Sequence, residues 1–180
     1  MNYKHPLVCP SVILKTRVGD DKIVGGGCAI GGEWKNVTTD TLFTGKKVVL
    51  FSLPGAYTPT CSSQQVPGYE ERYDELIKYV DKVYCISVND SFVMNAWFRD
   101  QDISKVKPIG DGEGKFTEGM GMLVNKPKQG FGMRSWRYSA LIDNCEIVKM
   151  FFEEGKNDGS EDNDPFQISD ADTILDYLKK

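Results

Sequence analysis

The run Val48-Val49-Leu50-Phe51-Ser52-Leu53 restricts the fold of this chain more than any other feature. It is apolar almost without interruption and does not alternate with polar residues. A strand with one wet face alternates, because successive side chains point to opposite sides of the sheet. A strand apolar on both faces must be covered on both, and helices on either side of a parallel or mixed sheet provide that cover. Val83-Tyr84-Cys85-Ile86-Ser87-Val88 is a second run of the same kind. Between them Val66, Tyr69, Tyr73, Leu76, Ile77 and Val80 recur at helical spacing over residues 61–80.

The rest of the chain extends this pattern. Residues 11–24 read as a strand and a turn, and Thr38-Thr39-Asp40-Thr41-Leu42-Phe43 as a short capped helix closed by Gly45. Asn89-Asp90-Ser91 offers a helix cap ahead of Phe92, Val93, Ala96 and Trp97. Residues 136–142 and 146–152 read as a hairpin around Asp143-Asn144. Ser169-Asp170-Ala171-Asp172 starts a last helix with Ile174, Leu175 and Leu178 on its inner face. Pro67 falls inside the 61–80 pattern and is expected to kink that helix. The glycine-rich stretch 25–32 reads as a loop without the Gly-Lys-Ser/Thr of a phosphate loop, and residues 153–164 as an acidic solvated loop. The expected architecture is α/β, a central mixed β-sheet flanked by helices. Its 180 residues are expected to form one domain spanning 1–180.

Composition removes several function classes. The net charge of −4 gives no footprint for nucleic acid. No apolar run approaches the ~20 residues of a membrane span. Met1-Asn2-Tyr3-Lys4-His5-Pro6 lacks a signal-peptide apolar region, so a cytoplasmic location is expected. The five cysteines, Cys9, Cys28, Cys61, Cys85 and Cys145, include no C-x-x-C pair, which argues against a disulfide framework, a cysteine zinc site and a thioredoxin-type dithiol. His5 is the only histidine, so a Cys–His hydrolase is poorly supported.

One cysteine stands apart. Pro54-Gly55-Ala56-Tyr57-Thr58-Pro59-Thr60-Cys61 follows the first buried run directly, so Cys61 sits where a strand ends and a helix begins. Free backbone N–H groups and the positive end of a helix favour a thiolate there. A free thiol near pKa 8.5 is only a few per cent thiolate at neutral pH, and a helix end contributes ~1 kcal/mol. A permanent cation is therefore wanted as well. Arg137, between Trp136 and Tyr138 in the hairpin's first strand, needs solvent or an anionic partner, and it faces Cys61 if that strand neighbours residues 48–53. Thr58 can hydrogen-bond a substrate oxygen, and Pro54 can exclude water without offering an N–H.

The run from Pro54 to Cys61 resembles the P-x-x-x-T-x-x-C signature of peroxiredoxins. Within that family the chain is similar to the type II, or peroxiredoxin-5, subfamily. The supporting stretches are Val37-Thr38-Thr39-Asp40, Phe51-Ser52-Leu53-Pro54-Gly55-Ala56, Ser87-Val88-Asn89-Asp90-Ser91-Phe92-Val93-Met94 and Arg134-Ser135-Trp136-Arg137-Tyr138-Ser139. The resemblance implies a thioredoxin-like fold, reduction of hydrogen peroxide and alkyl hydroperoxides, no metal or organic cofactor, and a homodimer. It implies that Cys61 is the peroxidatic cysteine, oxidised to sulfenic acid, that Thr58 and Arg137 position the peroxide, and that Pro54 shields it.

Two departures from the subfamily bear on mechanism. Gln65 stands where a histidine is frequent, so it can hydrogen-bond but not titrate. No cysteine lies between Gly159 and Ile174, where some members carry a resolving thiol. Instead the stretch 164–172 resembles the peroxiredoxin part of glutaredoxin-fused members, which implies recycling by glutathione and glutaredoxin. The alternative is a two-cysteine cycle with Cys85 as resolving thiol and thioredoxin as reductant; against it, Cys85 reads as a core residue of a buried strand. A rival from another class is a non-catalytic binding or chaperone module on the same fold.

Overall fold

The computed structural model describes residues 6–19, 23–24, 28–29 and 31–180. Its strands are β1 (Ile13–Val18), β2 (Ile23–Val24), β3 (Cys28–Ala29), β4 (Glu33–Thr38), β5 (Lys47–Ser52), β6 (Lys82–Ser87), β7 (Lys107–Gly110), β8 (Leu123–Lys126), β9 (Gly132–Ser135), β10 (Tyr138–Asp143) and β11 (Glu146–Phe152). Its α-helices are α1 (Thr39–Phe43), α2 (Val66–Glu71), α3 (Tyr73–Leu76), α4 (Ser91–Asp100), α5 (Lys115–Gly119) and α6 (Ala171–Leu178).

Among the described residues the central sheet has the order β11-β10-β5-β6-β7. The pairs β5–β6 and β6–β7 are parallel, while β10 runs antiparallel to both β5 and β11. The apolar run of β5 takes the middle, and its side chains divide between the two faces. Val48 and Leu50 join one core half with Phe43, Phe116, Met120 and Trp136. Val49, Phe51 and Leu53 join the other with Val66, Tyr69, Leu76, Trp97, Ile174 and Leu175. This is the thioredoxin-like α/β arrangement that the resemblance implies.

The helix caps follow the sequence closely. Asp90 accepts from Val93 N at 3.0 Å and Asp170 from Thr173 N at 2.9 Å, each removing one orphan N–H of a first turn. The end of β7 lies close beneath α4: a Cβ on Gly110 would stand 2.9 Å from Ser91 N, so only glycine fits without displacement.

Several elements differ from expectation. The polar residues of β4 pair with β1 in an antiparallel ribbon that no apolar pattern marks. The short β7 and α5 have no sequence signal strong enough to announce them. The ladder of β10 begins at Tyr138, so Arg137 lies just before the strand, in the link from β9. The link is bent because Trp136 N donates to Met122 O at 2.7 Å while Arg137 O accepts from Glu153 N at 3.1 Å. Gly25, Gly26, Gly27 and Ile30 of the 25–32 glycine stretch lie outside the described residues, as does His5.

Candidate active site

After β5 the chain turns through Leu53, Pro54 and Gly55, all buried. Side chains from the end of β6 shape this turn. Asn89 Oδ1 accepts from Ala56 N at 3.0 Å and from Ser87 Oγ at 2.8 Å, and Ser87 Oγ also lies 3.3 Å from Leu53 O. Arg134 braces the same corner by donating to Val88 O at 2.6 Å and to Phe131 O at 3.1 Å. Tyr57 has φ +61, a left-handed conformation unusual for an aromatic residue, and its hydroxyl donates to Asp100 Oδ2 at 2.8 Å. Thr58 Oγ1 donates to Gly55 O at 2.8 Å, which leaves its lone pairs free to accept.

A helix opens immediately after Thr58. Its ladder starts with Ser62 N donating to Thr58 O at 3.0 Å. The N–H groups of Thr60 and Cys61 precede that first bond, at the positive end of the helix. Cys61 occupies this turn with no exposed surface. From Cys61 to Gln65 the helix widens to π spacing, and Val66 N bonds to Cys61 O. Pro67 supplies the reason. It has no N–H for residue 63 and its ring would press on that carbonyl, so the ladder shifts by one residue instead of bending sharply. Phe51 stacks on Tyr69 with centroids 3.8 Å apart, and Tyr69 donates to Ser169 O at 2.8 Å, pinning α2 to the sheet and to the C-terminal segment.

Arg137 comes to Cys61 from the other direction. Its guanidinium is almost wholly buried, and each of its nitrogens has a partner. Nη1 lies 3.4 Å from Cys61 Sγ and 2.5 Å from Gln65 Oε1; Nη2 lies 2.5 Å from Asp164 Oδ1; Nε donates to Pro165 O at 3.1 Å. Phe166 lies beneath the plane at 5.5 Å. Burial alone would lower the arginine pKa, but the charges of Cys61 and Asp164 outweigh it and raise that pKa further. A buried charge this well partnered stays in place. Removing one partner of such a set is what costs several kcal/mol, of order 3–5.

Glu153 holds the segment that supplies Asp164 and Pro165. Its Oε1 accepts from the backbone N–H groups of Gln167, Ile168 and Ser169 at 2.9 Å each, and from Ser169 Oγ at 2.7 Å. Lys126, also buried, donates to Asn163 O at 3.0 Å and lies over Trp136 at 4.6 Å. Burial lowers its pKa, against the opposing pull of Asp164 and Asp162.

The structure thus brings Cys61 and Arg137 together, with Thr58 and Pro54 on the turn that leads into Cys61. Cys85 lies on β6 opposite Phe51, in the same half of the core as Cys61, with no exposed surface. Burial, and after it the charge on Cys61, pushes the Cys85 thiol well above its ordinary value. Sequence reasoning missed the partners of Arg137. Gln65 stood out only as a departure from a pattern. Nothing local separates Glu153 from the other acidic residues of 153–164, and Asp164 stands out only as the first residue of the 164–172 stretch, with no sign that it pairs with Arg137. Among the described residues, no three His, Cys, Asp or Glu side chains cluster in a way that could hold a metal ion, and no helix is long and apolar enough to cross a membrane.

The family model named Redoxin matches residues 29–175. The chain is 52% identical over 171 residues to "Peroxiredoxin sll1621" of Synechocystis sp., covering 94% of this chain and 88% of that protein. It is 50% identical over 170 residues to "Hybrid peroxiredoxin hyPrx5" of Haemophilus influenzae, covering 94% of this chain and 64% of that longer protein. Among solved structures it is similar to the Plasmodium falciparum antioxidant protein, described as a 1-Cys peroxiredoxin. The TM-score is 0.86 at 40% identity, over 96% of this chain and 97% of that one.

Proposed function

The chain belongs to the peroxiredoxins of the redoxin family, thiol peroxidases that act on peroxide and take electrons from a thiol reductant, and on that premise we propose that Cys61 is the peroxidatic residue of a one-cysteine cycle. The observation that carries this reading is the 3.4 Å approach of Arg137 Nη1 to Cys61 Sγ at a helix start. Cys61 thiolate attacks one oxygen of R–O–O–H, the O–O bond breaks, and the alcohol leaves after taking a proton. Cys61 becomes a sulfenic acid. Arg137 and the N–H groups of the first turn stabilise charge on sulfur and on the leaving oxygen. Thr58 Oγ1 accepts from the peroxide hydroxyl, and Pro54 keeps competing water and donors away.

Glutathione then attacks the sulfenic sulfur, releasing water and leaving a mixed disulfide, which glutaredoxin reduces. Two features favour this over an internal resolving step. Cys85 is fully buried with its thiol held protonated by burial, so it is a weak attacker. The relative from Haemophilus influenzae, named a hybrid peroxiredoxin, is longer than the part this chain matches, and the stretch 164–172 resembles the peroxiredoxin part of glutaredoxin-fused members. Because Cys61 is also fully buried, an external thiol reaches it only when the first turn opens. The π-widened turn at 61–65 is the place where that opening is easiest.

The decisive experiment compares peroxide turnover of the wild type and Cys61→Ser with glutathione plus glutaredoxin and with thioredoxin. Loss of turnover in Cys61→Ser, and faster wild-type turnover with the glutathione system, is expected. Full activity without Cys61 overturns the site. Turnover with thioredoxin alone that requires Cys85 overturns the one-cysteine cycle.

A further inference from the structure

Two more thiols meet at the far end of β10 from Arg137. The β10–β11 turn is Asp143-Asn144-Cys145-Glu146, with φ +48 at Asn144 and +69 at Cys145. Positive φ at both central residues is the two-residue hairpin geometry whose second position favours glycine. A cysteine there is strained, and the surroundings hold it in place. Asn144 N donates to Lys46 O at 2.9 Å, Asn144 Oδ1 accepts from Gly45 N at 2.8 Å, and Thr44 Oγ1 lies 3.5 Å from Cys145 Sγ.

The remaining backbone contact of Cys145 is to another cysteine. Cys9 N donates to Cys145 O at 2.8 Å, Ile147 N donates to Leu7 O at 2.8 Å, and Val8 bridges Glu146 in antiparallel sense. That register sets Cys9 directly opposite Cys145. A 2.8 Å bond from Cys9 N to Cys145 O keeps the two Cα atoms within roughly 6.7 Å of each other by backbone dimensions, inside the range a disulfide spans. Both side chains belong to the same half of the core, Cys9 buried and Cys145 partly exposed, and both are free thiols.

We propose that Cys9 and Cys145 are a second redox site, an intramolecular disulfide that forms on oxidation and staples the N-terminal segment to the β10–β11 turn. The oxidant is hydrogen peroxide, which the protein meets as substrate. The partly exposed Cys145 thiolate attacks one peroxide oxygen and expels hydroxide, giving a sulfenic acid. The hydroxide expelled in that step takes the Cys9 proton and becomes water, and the Cys9 thiolate so formed attacks the sulfenic sulfur and displaces a second hydroxide, which the proton given up earlier by Cys145 turns into water. Two thiols thereby lose two electrons to one peroxide, which becomes two waters. The order of events follows from burial. Burial, together with the charges of Cys145 and Asp40, pushes Cys9 up to about 12, so it stays protonated while Cys145 reacts.

This site is separate from Cys61. The six residues of β10 place the turn about 20 Å from Arg137 at ~3.4 Å per residue. The staple also fastens what the segment already touches, since Pro10 O accepts from Thr39 Oγ1 at 2.6 Å and Val12 O from Thr39 N at 3.0 Å.

The test uses the full chain carrying Cys61→Ser, so that failure here is independent of the peroxidatic reading. The protein is treated with hydrogen peroxide, its remaining thiols are alkylated, and non-reducing peptides are mapped by mass. The expected result is a Cys9–Cys145 linked peptide in the monomer, reversed by dithiothreitol and absent in Cys145→Gly. The oxidised form should melt higher by roughly 5–15 °C. Cys145→Gly in the otherwise wild-type chain should keep full peroxide turnover. Cys9 remaining alkylatable after oxidation, with Cys145 as sulfinic acid or linked to another chain, overturns the proposal, as does a peroxide-inert pair.

Discussion

Glu153 offers a quantitative test of how the site is held. Its Oε1 carries four hydrogen bonds, and the residue is 2% exposed. In Glu153→Ala all four donors lose their acceptor. The N–H groups of Gln167 and Ile168 are only part-buried and regain water, while those of Ser169, backbone and hydroxyl, lie in the interior. Two buried unsatisfied donors at ~1–3 kcal/mol each give a loss of about 4 kcal/mol. Glu153→Gln keeps one acceptor oxygen in place, removes the charge and makes the other oxygen an NH2 donor; losing the charge roughly halves such bonds, for a loss of about 1.5 kcal/mol. Urea unfolding at pH 7 measures both. The substitution should also reach the chemistry, because the freed segment carries Asp164 and Pro165. Loss of the Arg137 Nε bond to Pro165 O, worth ~1.5 kcal/mol, should slow single-turnover oxidation of Cys61 about tenfold in Glu153→Ala. If Glu153→Ala and Glu153→Gln are equally stable, or Glu153→Ala loses less than about 1 kcal/mol, the anchoring argument fails.

Three further outcomes are expected. At 3.4 Å and an effective dielectric of about 20, the Arg137–Cys61 attraction is roughly 5 kcal/mol, offset in part by Asp164, so Arg137→Met should slow thiol oxidation by about 10²–10³. Near wild-type stopped-flow kinetics in that variant would remove Arg137 from the chemistry. Cys85→Ala should leave glutathione-dependent turnover unchanged and cost about 1–2 kcal/mol of stability; lost turnover in a folded variant makes Cys85 a resolving thiol. Burial works upward on the Glu70 carboxyl, but the backbone N–H groups of Val106, Lys105 and Ser104 outweigh it and hold the pKa below its ordinary value. The unfolded chain therefore binds the proton more tightly, and the stabilisation is present above about pH 4.3 and lost as pH falls through the folded value. The advantage of wild type over Glu70→Gln at pH 7 should shrink as acid protonates the carboxylate, and an advantage that is undiminished in acid refutes the assignment.

Local signals carried much of the fold. Residues 48–53 and 83–88 announced buried strands because an uninterrupted apolar run has no solvent face, and Asp90 and Asp170 announced helix starts because a carboxylate satisfies first-turn N–H groups wherever it stands. β1 falls where residues 11–24 read as a strand, but its partner β4, β7 and α5 were not legible. β7 and α5 are short and β4 is polar, so their stability comes from neighbours distant in sequence instead of from their own periodicity. Pro67 signals a kink in the sequence and is met by a π-widened turn, since its missing N–H can be absorbed by shifting the ladder.

The same division runs through the site. Pro54, Thr58 and Cys61 are legible because one strand-to-helix turn holds them, and a short turn leaves the chain few ways to place them. Arg137 was legible as a charge between two aromatics that had to find an anion. What Arg137 touches was decided by the tertiary structure alone. Gln65, Asp164, the Pro165 carbonyl and the Glu153 anchor come from three separate stretches of chain. They converge because β10 lies beside β5 and the acidic loop folds back over the sheet's end. A sequence lists carboxylates and amides as equals. Burial selects among them, because only the ones brought against a desolvated guanidinium must remain paired with it.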